Sequence, residues 1–264
     1  MLDKLYVIPT YKCNLSCPHC DLHKKNIAFN TKSFFKQLNN IEAKEVILFG
    51  GEPSFYQDRL AKCLKTNKIT SISTNLLFGK YIPLYAKYNL DIATSWNPLR
   101  FSEYTENIWL HNLHIISEYN RKALVLITLT PDLLKMPLVT LNILFKKLEE
   151  TEGVSGVLFE PLISNFTNQV FYDECDEWLC NIYKNWSWKF NNFIIDKLNN
   201  WNCNCSNIMT LEPNGILRKG CPQVDNNIKI NEACYTCKLS TMCNPCYLQQ
   251  YCTFPKKLFN LIKE

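Results

Sequence analysis

The sequence predicts an α/β protein: a partial (β/α)6 barrel of the TIM type carrying a small, cysteine-rich C-terminal domain. Three observations carry that expectation. Six strand-like segments alternate with helix-like ones from Leu5 to Lys184. The strand-like segments are short, apolar and rich in Ile, Leu and Val, as in a parallel sheet covered by helices. From Asn199 onward the chain turns Asn- and Cys-rich, with little periodicity of either kind. Right-handed crossovers between parallel strands build a barrel or an open Rossmann-type sheet, and periodicity does not count closure, so the open sheet stays as the structural alternative.

The elements follow in order. Leu5–Pro9 reads as a strand running directly into a cysteine-bearing loop. Thr31 starts a helix over Ser33–Leu38, and Glu45–Phe49 is a strand closed by Gly50-Gly51. Asp58–Lys65 is helical, Ile69–Ser73 a strand, Pro83–Tyr88 a helix and Asp91–Ser95 a strand. Glu103–Tyr119 is a long helix, Ala123–Thr130 a β-rich run, Leu138–Glu150 a helix and Val154–Pro161 the sixth strand. Phe171–Lys184 is a helix lying over the barrel. The domains are therefore expected at 1–200 and 201–264, with the boundary near Trp201.

Composition excludes several classes. A hydrophobic content of 47% and a charged content of 20% are those of an ordinary globular protein. The net charge of +5 is mild and its basic residues are dispersed, so no nucleic-acid patch is expected. No apolar run reaches the roughly 18 residues that span a bilayer, and no membrane partner is expected. Fourteen cysteines are many, but the N-terminus MLDKLYVIPTYKC is no signal peptide. Metal-bound thiolates in a reducing cytoplasm explain them better than disulfides.

Cys13, Cys17 and Cys20 form a C-x3-C-x2-C loop. Three thiolates on a tight loop can hold three irons of a [4Fe–4S] cluster, leaving the fourth iron without a protein ligand. A cluster that only carries electrons normally has four cysteines, so an open iron points to a cluster that binds something. A zinc site is the alternative for such thiols.

With this spacing the chain resembles the radical S-adenosylmethionine (radical SAM) superfamily. The resemblance implies that the open iron chelates the amino and carboxylate groups of SAM, and that cluster and SAM together generate a 5′-deoxyadenosyl radical. Gly50-Gly51-Glu52-Pro53 directly after the second strand matches the family motif whose backbone and carboxylate hold the SAM amino group. Glycines allow close backbone approach, and a carboxylate suits an ammonium. In a parallel β/α fold, ligands sit at the carboxyl ends of strands. That brings in Ser73-Thr74-Asn75, with Ser73 and Asn75 as candidates for the ribose, and Ser95-Trp96-Asn97, with Ser95 for the carboxylate or ribose. The resemblance further implies His19 beside the adenine and Val157–Pro161 along the adenine pocket. Strand-end capping, loop packing and a plain turn are the ordinary readings of these residues.

Residues 203–252 hold Cys203, Cys205, Cys221, Cys234, Cys237, Cys243, Cys246 and Cys252 around a Pro213-Asn214-Gly215 turn. The order resembles the SPASM extension of radical SAM enzymes, with x2 in place of x3 between Cys243 and Cys246. The resemblance implies auxiliary cluster I on Cys203, Cys205, Cys221 and Cys246, and cluster II on Cys234, Cys237, Cys243 and Cys252. A twitch form with one auxiliary cluster, and structural zinc, stay open. Cys63 reads as core, and Cys175 and Cys180 as free thiols of a helix.

The implied reaction is hydrogen abstraction from an unactivated C–H bond, followed by oxidation through an auxiliary cluster. Flavodoxin or ferredoxin would donate the first electron. Maturation of a ribosomally made peptide or protein is the leading expectation. Dehydrogenation of a small alcohol or amino sugar is the alternative, and a zinc-binding non-enzymatic module the remote one. Twelve residues precede Cys13, so no N-terminal peptide-recognition domain is expected, and a separate recognition protein or the barrel rim would bind a leader. Glu160, Asp173 and Glu174 are acid–base candidates at the mouth, with solvated surface as the ordinary reading.

Overall fold

The computed structural model describes residues 1–20, 22, 25–97, 101–162, 169–185, 207–220, 222 and 256–263. Six strands, β1 (Leu2–Val7), β2 (Ala43–Leu48), β3 (Ser71–Thr74), β4 (Asp91–Trp96), β5 (Ala123–Leu129) and β6 (Val154–Pro161), pair in parallel in chain order. They alternate with α1 (Thr31–Asn40), α2 (Gln57–Lys65), α3 (Ile82–Lys87), α4 (Glu103–Glu118), the short α5 (Pro131–Leu134), α6 (Leu138–Glu150) and α7 (Gln169–Asn185). Each β/α unit adds its strand on the same side of the last. A doubly wound sheet reverses its order at a switch point, whereas a barrel progresses in one direction. The observed order therefore supports the partial barrel over the open sheet.

The described part of 201–264 contains structure that its composition hid. β7 (Ile208–Leu211) joins the free edge of β1 in parallel, and β8 (Leu217–Lys219) returns antiparallel beside it, so the sheet runs β6-β5-β4-β3-β2-β1-β7-β8. Strands of four and three residues are too short to show a period. Pro213-Asn214-Gly215 is their turn: Gly215 has a φ of +85°, Ile216 N donates to Asn214 Oδ1 at 3.1 Å, and Gly215 N donates to the Glu212 carbonyl at 2.9 Å. A last helix, α8 (Lys256–Lys263), packs on α7. Asp176 of α7 accepts from Lys257 N at 2.7 Å and from Leu258 N at 3.0 Å, capping a helix that begins 80 residues downstream of it.

Burial alternates along β3, β4 and β5 and at the ends of β1 and β2, and contacts identify the faces. Thr94 accepts from Trp109 Nε1 of α4 at 2.9 Å, and Phe159 meets Phe145 of α6 and Trp178 of α7 edge-on. The face with Leu5, Val7, Val46, Leu48, Ile72, Val125 and Ile127 is thus the helix side, where the core lies. The opposite, interior face carries Tyr6, Ile47, Ser73, Ser95, Leu126 and Thr128 by the period of two.

Helix boundaries follow local chemistry. Asn30, rather than Thr31, caps α1, its side chain accepting from Ser33 N. Thr31 is the first residue inside the helix. Asn67, Asn89 and Asn120 sit just past α2, α3 and α4 with φ of 54°, 53° and 54°. Asparagine tolerates the left-handed conformation that ends helices, a role glycine usually takes.

Candidate active site

The loop after β1 leaves the carboxyl end of the sheet, and its first residues are held by backbone bonds. Phe49 N donates to the Val7 carbonyl at 3.0 Å, Gly51 N to Thr10 at 3.1 Å and Glu52 N to Lys12 at 2.9 Å. These bonds extend the β1–β2 pairing beyond both strands. Arg59 donates to the Pro9 carbonyl at 3.0 Å, with its guanidinium 4.2 Å from the ring centres of both Phe29 and Tyr56. Cys17 is buried, Cys13 and Cys20 are half-buried, and none of the three is in a disulfide. Leu15 N donates to Cys13 Sγ at 3.4 Å, and Cys20 N closes a turn onto the Cys17 carbonyl at 3.1 Å. Among the described residues no three His, Cys, Asp or Glu side chains converge on one metal ion. A cluster asks for one thiolate per iron, and this donor set of three thiols on one loop fits it.

Gly50 and Gly51 are required by the approach of that loop. A Cβ on Gly50 would collide with the Thr10 carbonyl oxygen, and one on Gly51 with the carbonyl oxygens of Tyr11 and Lys12. Gly50 also has a φ of +133°. Pro53 opens a single 3-10 turn (Pro53–Phe55) at its first position, where a missing N–H costs nothing.

Glu52 caps that turn and does more. It has no solvent exposure. Its carboxylate accepts from Ser54 N at 3.1 Å, from the Ser54 hydroxyl, from Thr74 Oγ1 at 2.9 and 3.0 Å, and from Asn75 N at 2.8 Å. The ends of β2 and β3 are tied together by one side chain. Burial raises its pKa above the carboxylate range, and the donors offset that only in part. Burial first, and then the same carboxylate, push the phenol of Tyr85 up.

The geometry has counterparts among solved structures. The chain superposes on hexahistidine-tagged anSMEcpe with bound AdoMet at a TM-score of 0.68 and 17% identity, covering 98% of this chain and 96% of that one. It superposes on Streptococcus suis SuiB bound to S-adenosylmethionine at 0.60 and 17% identity, covering 99% and 72%. SuiB bound to precursor peptide SuiA gives 0.63 and 16%, covering 99% and 73%. This is the fold of the radical SAM enzymes. No protein-family profile matches the chain, and no curated protein does so either.

In the radical SAM fold the predicted residues fall as follows. Cys13, Cys17 and Cys20, Gly50 to Pro53, Ser73 to Asn75 and Ser95 all come to the carboxyl ends of β1 to β4. His19 and Ser95 are half-buried. The Glu52 carboxylate is enclosed by Ser54, Thr74 and Asn75, so it braces the turn. Val157 and Phe159 belong to the helix-side core; within Val157–Pro161, Leu158 and Glu160 alternate toward the interior. Asp173 and Glu174 are on the solvent side of α7, where Asp173 accepts from Gln169 Nε2 at 2.8 Å. Cys203, Cys205, Cys221, Cys234, Cys237, Cys243, Cys246 and Cys252 lie outside the described residues. No helix among the described residues is long and apolar enough to cross a membrane.

The sequence reading missed a buried strut. The Tyr11 hydroxyl donates to Glu212 Oε2, Arg218 Nε donates to Glu212 Oε1 at 3.2 Å, and Arg218 Nη2 reaches the Pro222 carbonyl at 3.1 Å. Burial first, then the Glu212 carboxylate, raises the Tyr11 phenol well above its ordinary value. The strut clamps the cysteine loop to the β7–β8 hairpin. Glu212→Ala leaves a buried hydroxyl and a mostly buried guanidinium without their shared acceptor and is expected to destabilise the protein by about 2–3 kcal/mol. Tyr11→Phe, which removes one donor, is expected to cost about 1 kcal/mol. Urea denaturation of the two variants checks the order; equal losses would mean that Arg218 finds water instead.

Proposed function

We propose that this chain is a radical SAM enzyme that oxidatively modifies a ribosomally made peptide or protein. The observation that supports it most is the cysteine loop itself: three thiols outside any disulfide at the carboxyl end of β1, seated against two glycines that allow no side chain. In this reading Cys13, Cys17 and Cys20 hold three irons of a [4Fe–4S] cluster and leave the fourth for SAM. When bound, that group supplies one-electron cleavage of SAM to a 5′-deoxyadenosyl radical. Gly50 and Gly51 let the backbone approach closely, and Glu52 supports their turn from beneath. Ser73 and Ser95 offer hydroxyls to SAM from the interior face, and His19, within the loop, a planar surface for the adenine. The cysteines from Cys203 to Cys252 would bind one or two auxiliary clusters, with flavodoxin or ferredoxin as the electron donor. The peptide substrate is supported by the fold shared with SuiB, which has been seen with a precursor peptide.

The test is anaerobic reconstitution with iron and sulfide, followed by dithionite and SAM. About twelve irons per chain are expected for three clusters, or about eight for two, with 5′-deoxyadenosine formed. A protein that takes up zinc instead and leaves SAM intact overturns the proposal. Deoxyadenosine that rises on adding a candidate precursor peptide, with a mass loss of hydrogen from it, supports the peptide substrate. A response to small alcohols or amino sugars alone overturns it.

A further inference from the structure

The turn after β3 is strained and heavily braced, and its geometry aims one side chain at the cysteine loop. Leu76, a buried residue, sits at a φ of +60°. A bulky residue in the left-handed region is strained and persists only where the surroundings impose it. They do so here. Leu76 N donates to Thr74 Oγ1 at 3.0 Å, and Asn112 Nδ2 of α4 donates to the Leu76 carbonyl at 2.7 Å. Gly79 leaves room for Asn112, whose amide oxygen would collide with a Cβ there.

The effect is to fix Asn75, which is 4% exposed. Its backbone N–H is taken by Glu52 Oε2 at 2.8 Å. Its Oδ1 accepts from Leu77 N at 3.0 Å, which settles which way round the amide lies. Nδ2 therefore faces the cysteine loop, 2.7 Å from Asn14 Oδ1 and 3.7 Å from Cys13 Sγ. Its two acceptors both lie on that loop.

We propose that Asn75 is a positioning residue for the Cys13 thiolate: its amide orients that ligand and, by donating to the sulfur, makes the open-iron cluster easier to reduce. The inference rests on the radical SAM reading and assigns Asn75 to the cluster loop in place of the SAM ribose. The physical reason is charge. Reduction adds an electron to a cluster held by thiolates, and an N–H aimed at one sulfur stabilises the added charge, so hydrogen bonds to the sulfurs set reduction potentials.

The experiment is an EPR-monitored redox titration of the reconstituted full chain, following the signal that shifts on adding SAM. Asn75→Ser keeps an oxygen near Leu77 N but loses the donor to Cys13. Asn75→Asp keeps the shape and the acceptor and puts a carboxylate oxygen beside the thiolate. At the wild-type midpoint potential, the reduced-to-oxidised ratio is expected to fall about threefold in Asn75→Ser and about tenfold or more in Asn75→Asp, tenfold being about 59 mV for one electron. Full iron content with an unmoved midpoint in both variants overturns the assignment. Loss of the cluster with an unchanged thermal midpoint of the apo-protein supports it. Loss of cluster and fold together overturns it in favour of a structural turn residue. A wild-type chain that gives no SAM-sensitive signal overturns the radical SAM reading itself, which separates the two failures.

Discussion

Cys17→Ala is expected to reduce 5′-deoxyadenosine formation to background and to lower the reconstituted iron by about four per chain. Two thiolates on this loop cannot replace three, because Cys13 and Cys20 are held by local contacts at Leu15 N and by the turn at Cys17. Cys17 packs outside the main core, so the apo-protein should keep its stability within about 1 kcal/mol. Cys63→Ala is the control. Cys63 has no exposure, and burial pushes its thiol up to about 12, so it is a core residue that is not poised to ligate. Its loss is expected to cost about 1–2 kcal/mol by the cavity it leaves, with SAM cleavage unchanged. Quantifying deoxyadenosine and iron in both variants decides the matter. Retained cleavage in Cys17→Ala would refute the open-iron assignment.

Glu52→Ala is expected to lower stability by about 3 kcal/mol or more and to weaken SAM binding. The substitution strips the acceptor from two backbone N–H groups and two hydroxyls that are buried from water, and each orphaned donor costs about 1–3 kcal/mol. The loss of SAM affinity is indirect, through the slackened link between the ends of β2 and β3. Chemical denaturation and SAM calorimetry measure the two effects; lost stability with an unchanged SAM affinity would show that the GGEP segment is only a turn. The sign of the pH dependence follows from the raised pKa. The folded chain keeps this proton to a higher pH than the unfolded chain, so the group's contribution is fully present below its ordinary 4.5 and is lost as pH rises through the folded value. Glu52→Gln should remove that slope.

Much of the barrel is legible in local pattern. Leu138–Glu150 and Val154–Pro161 have the boundaries that their periodicity predicts. The other barrel elements shift by one to three residues at their ends, where caps such as Asn30 decide. The hairpin at Ile208–Lys219 was hidden because each strand is shorter than one readable period. Its place is set by the open edge of β1, which no local pattern marks. The faces of β6 illustrate the same limit. An apolar run shows that Val157 to Phe159 are buried, but only the packing of Phe159 on α6 and α7 shows which of them leave the interior.

By itself the sequence determined the alternation of strands and helices, the three-cysteine loop and the glycines beside it. Spacing along the chain carries those features, because a tight loop and a close backbone approach are local demands. Tertiary structure alone decided what the polar residues do. Glu52 turns inward because Ser54, Thr74 and Asn75 converge on it. Tyr11 finds Glu212 across 201 residues. Asn75 faces Cys13 because a strained Leu76 and the Leu77 N–H leave its amide no other direction. A hydrogen bond depends on which donors the fold brings within about 3 Å, and that distance is not written in sequence order.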